Sequence, residues 1–593
     1  AEAERAAAAA AALAERRDAV ADFVEAALPA PLPAAWVRRG PWEWRERVED
    51  DRRVWERRRV GDDVAEITLD ENAAPATLAS EYGGAPYRGF VRGVSHVVVA
   101  PDGEAVAYTV DATGDEVYSL EVLPTRPSVL AVDAVVAWGP DDALIFLRSD
   151  ATGRPHEIWS ARPGEETLLH SEQDARFRLE LSTAADGTPL VLSRSRDSAE
   201  ALRVTIDGVE VVAPRRPGVA VVACDQTGGV DWRVEANGDE TSLVRGESRI
   251  AVPGAAALEA VAAVGPATAI VGGVADARGA AWLVDGDVVS EIAPPEPYDD
   301  VCVRDDVALA PPLVALEVAA PHRFARVLPY DATKKDWAEA PPPPTAFEAS
   351  LRTERGDVAG VPLSLALPPG ETTRGVALYA YGAYGARLPR ALDGERAALL
   401  QWGHAVALGG IRGGGELGPA WHAAGRASRK AASAADVESC AELLKERFGA
   451  VVARGRSAGG LSVGGALCRR PELFSAVALD VPFLDPLNTL QDSSLPLTVN
   501  EWEEFGNPHE GGAREAIAEF SPLRRASALG RALPPTLLRP ALRDARTGWW
   551  ESFKFAAAVR FSAPASNVVV HADDRGHFGP AAGRAHADDV ALP

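Results

Sequence analysis

Methionine is absent from the 593 residues, and position 1 is Ala. The chain as written lacks its own start, so we take it as a fragment, a processed form or an incompletely represented protein, and a removed targeting peptide stays open. Cysteine is scarce. Cys224, Cys302, Cys440 and Cys468 lie far apart with no C-x-x-C pair, which argues against a disulfide framework and for reduced, buried thiols in a cytoplasmic protein. No window approaches the roughly 18 uninterrupted apolar residues of a membrane-spanning helix. The start, AEAERAAAAAAALAERRDAVADFVEAALP, is Ala-dominated and flanked by both charge signs, which suits a helix better than a signal sequence. Positive charge is also short: Lys+Arg is 61 against 86 Asp+Glu, a formal charge of −25. A field of that sign repels phosphate backbones, excludes nucleic acid as a partner and favours cationic ones. What is present is ordinary for globular chains, 47% hydrophobic and 25% charged residues. The length allows two to four domains at roughly 150 residues each.

Three textures divide the chain. Residues 1–70 read as a helix followed by a charged stretch, PWEWRERVEDDRRVWERRRV, and are expected to pack on the C-terminal domain. From 71 to 340, short β runs are broken by PDG, PDD, ATG and DG turns, as in HVVVAPDGEAVAYTVDATGDEVYSLEVL. Such spacing indicates an all-β domain. Recurrence at about 40–45 residues suggests propeller blades, six or seven of them, with a sandwich as the alternative. Pro341–Pro344 would act as a stiff linker, since consecutive prolines fix φ. Over 341–593 strand-like GVALYAYG, HAVALGGI, AVVARG, PPTLLRPAL and NVVVHA alternate with helical DVESCAELLKERFG and GWWESFKFAAAVRF. That alternation predicts a parallel sheet covered on both faces.

The chemistry concentrates in VVARGRSAGGLSVGGAL, where Gly455-Arg456-Ser457-Ala458-Gly459 forms G-x-S-x-G between a β run and a helical run. This is the pattern of a nucleophile elbow, a tight turn that lifts a serine hydroxyl above the sheet; a plain glycine-rich turn is the bland reading. A serine needs a base, and the base an orienting carboxylate, in the chain order Ser, Asp or Glu, His. His509, His571, His577 and His586 follow Ser457. His577, in the loop after NVVVHA, is the candidate base. Asp544, after PPTLLRPAL, is the candidate carboxylate, with Asp573 and Asp574 as rivals. An oxyanion needs preorganised donors: the Ala458 N–H is one, and a hydroxyl from the tyrosine-rich YAYGAYG (379–385) could be the other.

Together these residues resemble the prolyl oligopeptidase family of serine peptidases, and within it the oligopeptidase B branch. The resemblance rests on YAYGAYG (379–385), IRGGGELG (411–418), GRSAGG (455–460), VPFLDPLNTLQDSSLPLT (481–498), EWEEFGNP (501–508) and RDARTGWWE (543–551), with a weaker likeness over APDGEAVAYTVDATGDEVYSLEV (100–122). It implies a seven-bladed β-propeller over an α/β-hydrolase, the latter joined by the N-terminal helical segment. It also implies Ser457, Asp544 and His577 as the triad and Tyr381 as the oxyanion tyrosine. Glu501 and Glu503 would receive a basic side chain, and Arg546 would contact the peptide. A carboxylate pairing a guanidinium in bidentate fashion fits that role; a solvated acidic helix is the competing reading of both glutamates.

The chain departs from the family pattern in three places. The usual Asp-Pro-Arg-Val becomes Asp544-Ala-Arg-Thr, alanines fill RKAASAADVESC after the glycine motif, and ERFGAVVARG is short before the elbow. The expectation is a cytoplasmic serine oligopeptidase, monomeric or dimeric, that cuts short peptides after Arg or Lys without metal or organic cofactor, nucleic acid or membrane. A relative preferring proline or an acylated residue is the alternative, and an inactive propeller-bearing binding protein is the alternative from another class.

Overall fold

The computed structural model describes residues 14–27, 36–49, 52–70, 93–111, 116–124, 128–295, 300–304, 309 and 311–578. Seven four-stranded antiparallel sheets follow one another over 37–70, 93–132, 136–171, 178–213, 219–250, 257–291 and 300–337. They are the blades of a seven-bladed β-propeller. Inner strands are buried on both faces, and their side chains meet the neighbouring blade. Trp232, Val261, Val271 and Trp282 form one such layer, and Leu144, Phe146, Leu120 and Trp138 another.

The first blade corrects the sequence reading. Residues 1–70 were expected as a helical segment on the hydrolase. Among the described residues only Ala14–Ala27 fits that description, with Phe23 set edge-on against Phe347 and Trp402 at 5.6 and 5.3 Å. The charged stretch is instead a sheet, so the propeller begins at 37 and not at 71. The reason is a period of two hidden under charge. Trp42, Trp44 and, opposite Glu46 on the next strand, Trp55 are buried on one face, while Glu43 opposite Arg58 and Arg45 opposite Glu56 pair as ions on the other. Cross-strand pairs of this kind stabilise a sheet by roughly 0.2–1 kcal/mol each. The larger contribution is burial: Trp55 and Leu69 close onto Val94, Tyr108 and Val110 of the second blade.

Past the proline linker, Thr345 and Glu348 form a reciprocal cap on the short helix Ala346–Ser350. The C-terminal domain then builds one eight-stranded sheet. Its strands are β1 (Arg352–Val358), β2 (Val361–Leu367), β3 (Val376–Ala380), β4 (Ala405–Gly409), β5 (Val451–Arg456), β6 (Ala476–Asp480), β7 (Thr536–Arg539) and β8 (Val568–Val570). The spatial order is β1-β2-β4-β3-β5-β6-β7-β8, parallel from β4 onward. Helices cover it, and Leu378, Val437, Leu444, Val463, Leu479, Leu538 and Phe555 are among the fully buried side chains of its core. In a parallel sheet the loops at the C-terminal strand ends converge at one edge, and binding sites form there.

The two domains meet through ion pairs. Arg546, Arg426, Arg387 and Arg390 of the hydrolase face Glu116, Asp197, Glu259 and Asp300 of the propeller at 2.8, 2.8, 2.9 and 3.4 Å. Arg196 and Glu501 reverse that polarity at 3.9 Å. If the first sheet is an integral blade, Trp55→Ala should cost about 3–5 kcal/mol and lower the unfolding midpoint of the propeller; chemical denaturation measures it, and a change below 1 kcal/mol on the order of a surface substitution would contradict the assignment.

Candidate active site

β5 ends at Arg456 and the helix Ala458–Arg469 begins one residue later, leaving Ser457 to make the turn alone. Its backbone sits at φ 53°, ψ −123°, a conformation that costs a non-glycine residue about 1–3 kcal/mol. The surroundings impose it. Ser457 N donates to Asp480 O at 3.0 Å, and Ser457 O accepts from Phe483 N at 3.0 Å and Gly460 N at 2.9 Å. The glycines permit this: a Cβ on Gly455 would stand 2.7 Å from Gly459 O, and one on Gly459 would stand 2.6 Å from Ala380 O. Ser457 is half-exposed, and its hydroxyl makes no hydrogen bond among the described residues.

Asp544 and His577 come from the loops after β7 and β8 and meet at 2.8 Å, Oδ2 to Nδ1. Asp544 is saturated: Oδ1 accepts from the N–H of Arg546 and of Thr547 at 2.8 and 2.9 Å, and Oδ2 lies 2.8 Å from Thr547 Oγ1. Burial alone would raise its pKa; the bonds from His577, Thr547 and Arg546 outweigh burial and hold the carboxyl below its usual range. The imidazole is buried, and Arg456, the neighbour of Ser457, donates to the carbonyl of His577. The rivals are engaged elsewhere, Asp573 with His571 at 3.0 Å and Asp574 with Arg543 at 2.7 Å. His509 lies against Trp502 on another loop.

Tyr381 follows β3, and its backbone and ring edge lie against the space that Gly459 leaves open. Burial first, then Glu501 and Glu504, push its hydroxyl up to about 12, so it remains a donor at neutral pH. The Ala458 N–H is among those that start a helix without an intrahelical partner. Glu501, Glu503 and Glu504 share the helix Thr498–Phe505. Glu501 points inward; its Oε2 is buried and accepts no hydrogen bond among the described residues. Burial raises its pKa, opposed by Arg196 and the Tyr384 hydroxyl. Glu503 is occupied, accepting from the Arg196 N–H at 2.6 Å. Arg546 forks onto Glu116 of the propeller at 2.8 and 2.9 Å, its guanidinium 4.8 Å over the Phe578 ring. In this arrangement it bridges the two domains while remaining exposed.

Four participants escaped the sequence reading. Glu504, fully buried, accepts from Tyr384 N at 2.9 Å, meets His422 Nε2 at 2.7 Å and Lys430 Nζ at 3.9 Å. Burial opposes its ionisation, yet His422 and Lys430 bring its pKa to about 2. Burial brings that of Lys430 down to about 8. Lys430 donates to Gly382 O and so fixes the loop that carries Tyr381. The only sequence signal was the spacing of Glu504 three residues from Glu501; Lys430 lies in the alanine-filled departure. The fourth is Arg196. Among the described residues no group of three or more His, Cys, Asp and Glu side chains forms a metal-binding cluster, and no helix is long and apolar enough to cross a membrane.

A serine on an elbow between parallel strand and helix, with a hydrogen-bonded Asp–His pair on the next strand ends, defines the α/β-hydrolase class, here beneath a propeller. Residues 391–591 match the model of the prolyl oligopeptidase family, about a third of the chain. Over 186 residues the chain is 37% identical to dipeptidyl aminopeptidase BI of Pseudoxanthomonas mexicana, covering 31% of this chain and 25% of that protein. The match therefore spans about a quarter of that relative's length. Across nearly the whole chain the fold is that of oligopeptidase B. The Leishmania major structure has a TM-score of 0.88 at 23% identity, covering 99% of this chain and 89% of that one. The Trypanosoma brucei structure, a closed form with covalently bound antipain, has 0.89 at 23%, covering 100% and 90%.

Two substitutions probe the site. Thr547→Val keeps the shape but removes a hydrogen bond to a charged acceptor, so kcat/KM should fall about tenfold with little change in KM; an unchanged rate would mean the hydroxyl does not help hold Asp544. Tyr381→Phe should lower kcat/KM by about 10²–10³ uniformly from pH 6 to 10. The hydroxyl is protonated throughout that range, so steady-state pH profiles of parent and variant should be parallel, and a displaced alkaline limb would contradict the role.

Proposed function

We propose that this protein is a serine oligopeptidase that hydrolyses short peptides on the C-terminal side of Arg or Lys. In this reading Asp544 fixes the His577 tautomer, leaving Nε2 as the base. Nε2 takes the Ser457 proton as Oγ attacks the scissile carbonyl, while the Ala458 N–H and the Tyr381 hydroxyl bind the developing oxyanion. His577 then protonates the leaving amine, and water releases the acyl group by the reverse proton path. The propeller above the strand ends would exclude folded proteins, so that only short, flexible peptides reach the serine.

The observation that carries the basic preference is Glu501. Glu501 is partly buried, and its Oε2 is buried with no hydrogen-bond partner among the described residues, which is costly unless a cation completes it. It stands beside Tyr384, whose ring lies 6.2 Å from that of Tyr381. A substrate guanidinium docked there would supply the hydrogen bond that Oε2 lacks and a closer charge than Arg196, which stands 3.9 Å from Oε1. Matched fluorogenic peptides with Arg, Lys, Gln or Pro before the scissile bond test it. Arg and Lys should lead by at least about 10²-fold in kcat/KM, with Glu501→Gln removing most of that margin. Preferential cleavage after proline would contradict the assignment.

A further inference from the structure

The turn that joins two strands of the fourth blade, Pro189–Arg194 and Ala199–Thr205, reaches out of the propeller and onto the hydrolase helix Thr498–Phe505. It is pinned on both sides. The Arg196 N–H donates to Glu503 Oε2 at 2.6 Å, and Asp197 takes a two-bond fork from Arg426 at 2.8 and 3.0 Å. Arg426 in turn donates to Glu503 O at 2.6 Å. Between these anchors the Arg196 side chain, 27% exposed, enters the acidic site. Its guanidinium lies 4.6 Å over the Tyr384 ring and 3.9 Å from Glu501 Oε1.

We propose that Arg196 is an internal competitor for Glu501, a specificity-determining residue that occupies the place of the substrate's basic side chain until that side chain displaces it. The proposal rests on Glu501 being the receptor for that side chain. The pairing is one-sided: Arg196 approaches Oε1 at a distance beyond a hydrogen bond, while Oε2 has no hydrogen-bond partner among the described residues. A substrate guanidinium can make both bonds at once, and a charge-assisted bidentate pair is the stronger one. The Arg196 guanidinium stands between the Tyr384 ring and that carboxylate, so a substrate guanidinium arriving there competes with it for the same oxygens, and yielding of the turn frees them. Both anchors of the turn cross the domain boundary, so parting of the domains carries Arg196 away with its blade. A closed, empty enzyme thus keeps its acidic site neutralised, and neutral side chains gain nothing by displacing the arginine.

The apparent affinity for a basic residue is lowered by the fraction of molecules in which Arg196 holds the site. Arg196→Gln should therefore lower KM for the Arg peptide about fivefold and tighten competitive inhibition by n-butylguanidinium by a similar factor. KM for the matched Gln peptide should not move, and Arg196→Lys should stay near the parent. Equal or higher KM for the Arg peptide in Arg196→Gln would overturn the proposal, as would a parallel rise for all peptides, which marks a role in the domain interface alone. If the parent enzyme shows no preference for Arg over Gln, the receptor role of Glu501 falls instead. Unfolding midpoints of both variants within a few degrees of the parent separate these outcomes from misfolding.

Discussion

The turn at Ser457 is the constraint on which the site depends. A parallel strand and a helix have to be joined within one residue, and a serine has to adopt a left-handed φ to do it. Three backbone hydrogen bonds hold that conformation, two of them to the segment 480–483, and the close approaches at Gly455 and Gly459 leave it room. The same contacts fix neighbours: Phe483 is bound to Ser457 O, Tyr381 lies on Gly459, and Asp480 carries Ser457 N. The elbow and its surroundings are therefore one packed unit, and its strain is balanced by the sheet core beneath it.

Electrostatics form the second layer. Asp544 is kept ionised by a complete set of donors, and Glu504 by His422, Lys430 and a backbone N–H. Of the three glutamates on the helix Thr498–Phe505, Glu501 is the one with a buried oxygen that has no hydrogen-bond partner among the described residues. A carboxylate oxygen buried in that state costs free energy which binding of a cation would offset. The overall charge of −25 acts in the same direction at longer range, drawing cationic peptides toward the molecule. Paired charges cross the seam between the domains, and such contacts separate at lower cost than apolar ones.

Much of this was legible in the sequence, for local reasons. The strands of the hydrolase, its elbow, and blades two to seven announce themselves through β runs, turn residues and glycines, which act over a few residues. Asp544 and His577 could be chosen because strand ends converge in a parallel sheet. The first blade was not legible, because Arg and Glu on its exposed positions disguised the alternation of Trp42, Trp44 and Trp55. The partners of Glu501 and Glu503 were not legible either. Arg196 lies 307 residues from Glu503, and only the docking of blade four onto the hydrolase brings them together. Lys430 and His422 likewise acquire their meaning from Glu504 across the fold.

The central claim is that Ser457 is an activated nucleophile served by His577 and Asp544. Labelling with a fluorophosphonate probe tests it most directly, since the reagent reacts rapidly with a serine whose proton a neighbouring base removes as the oxygen attacks. The account predicts one label per chain, located on Ser457, absent in Ser457→Ala and slowed by orders of magnitude in His577→Ala. Folded protein that takes up no label, or takes it up on another residue, would contradict the account.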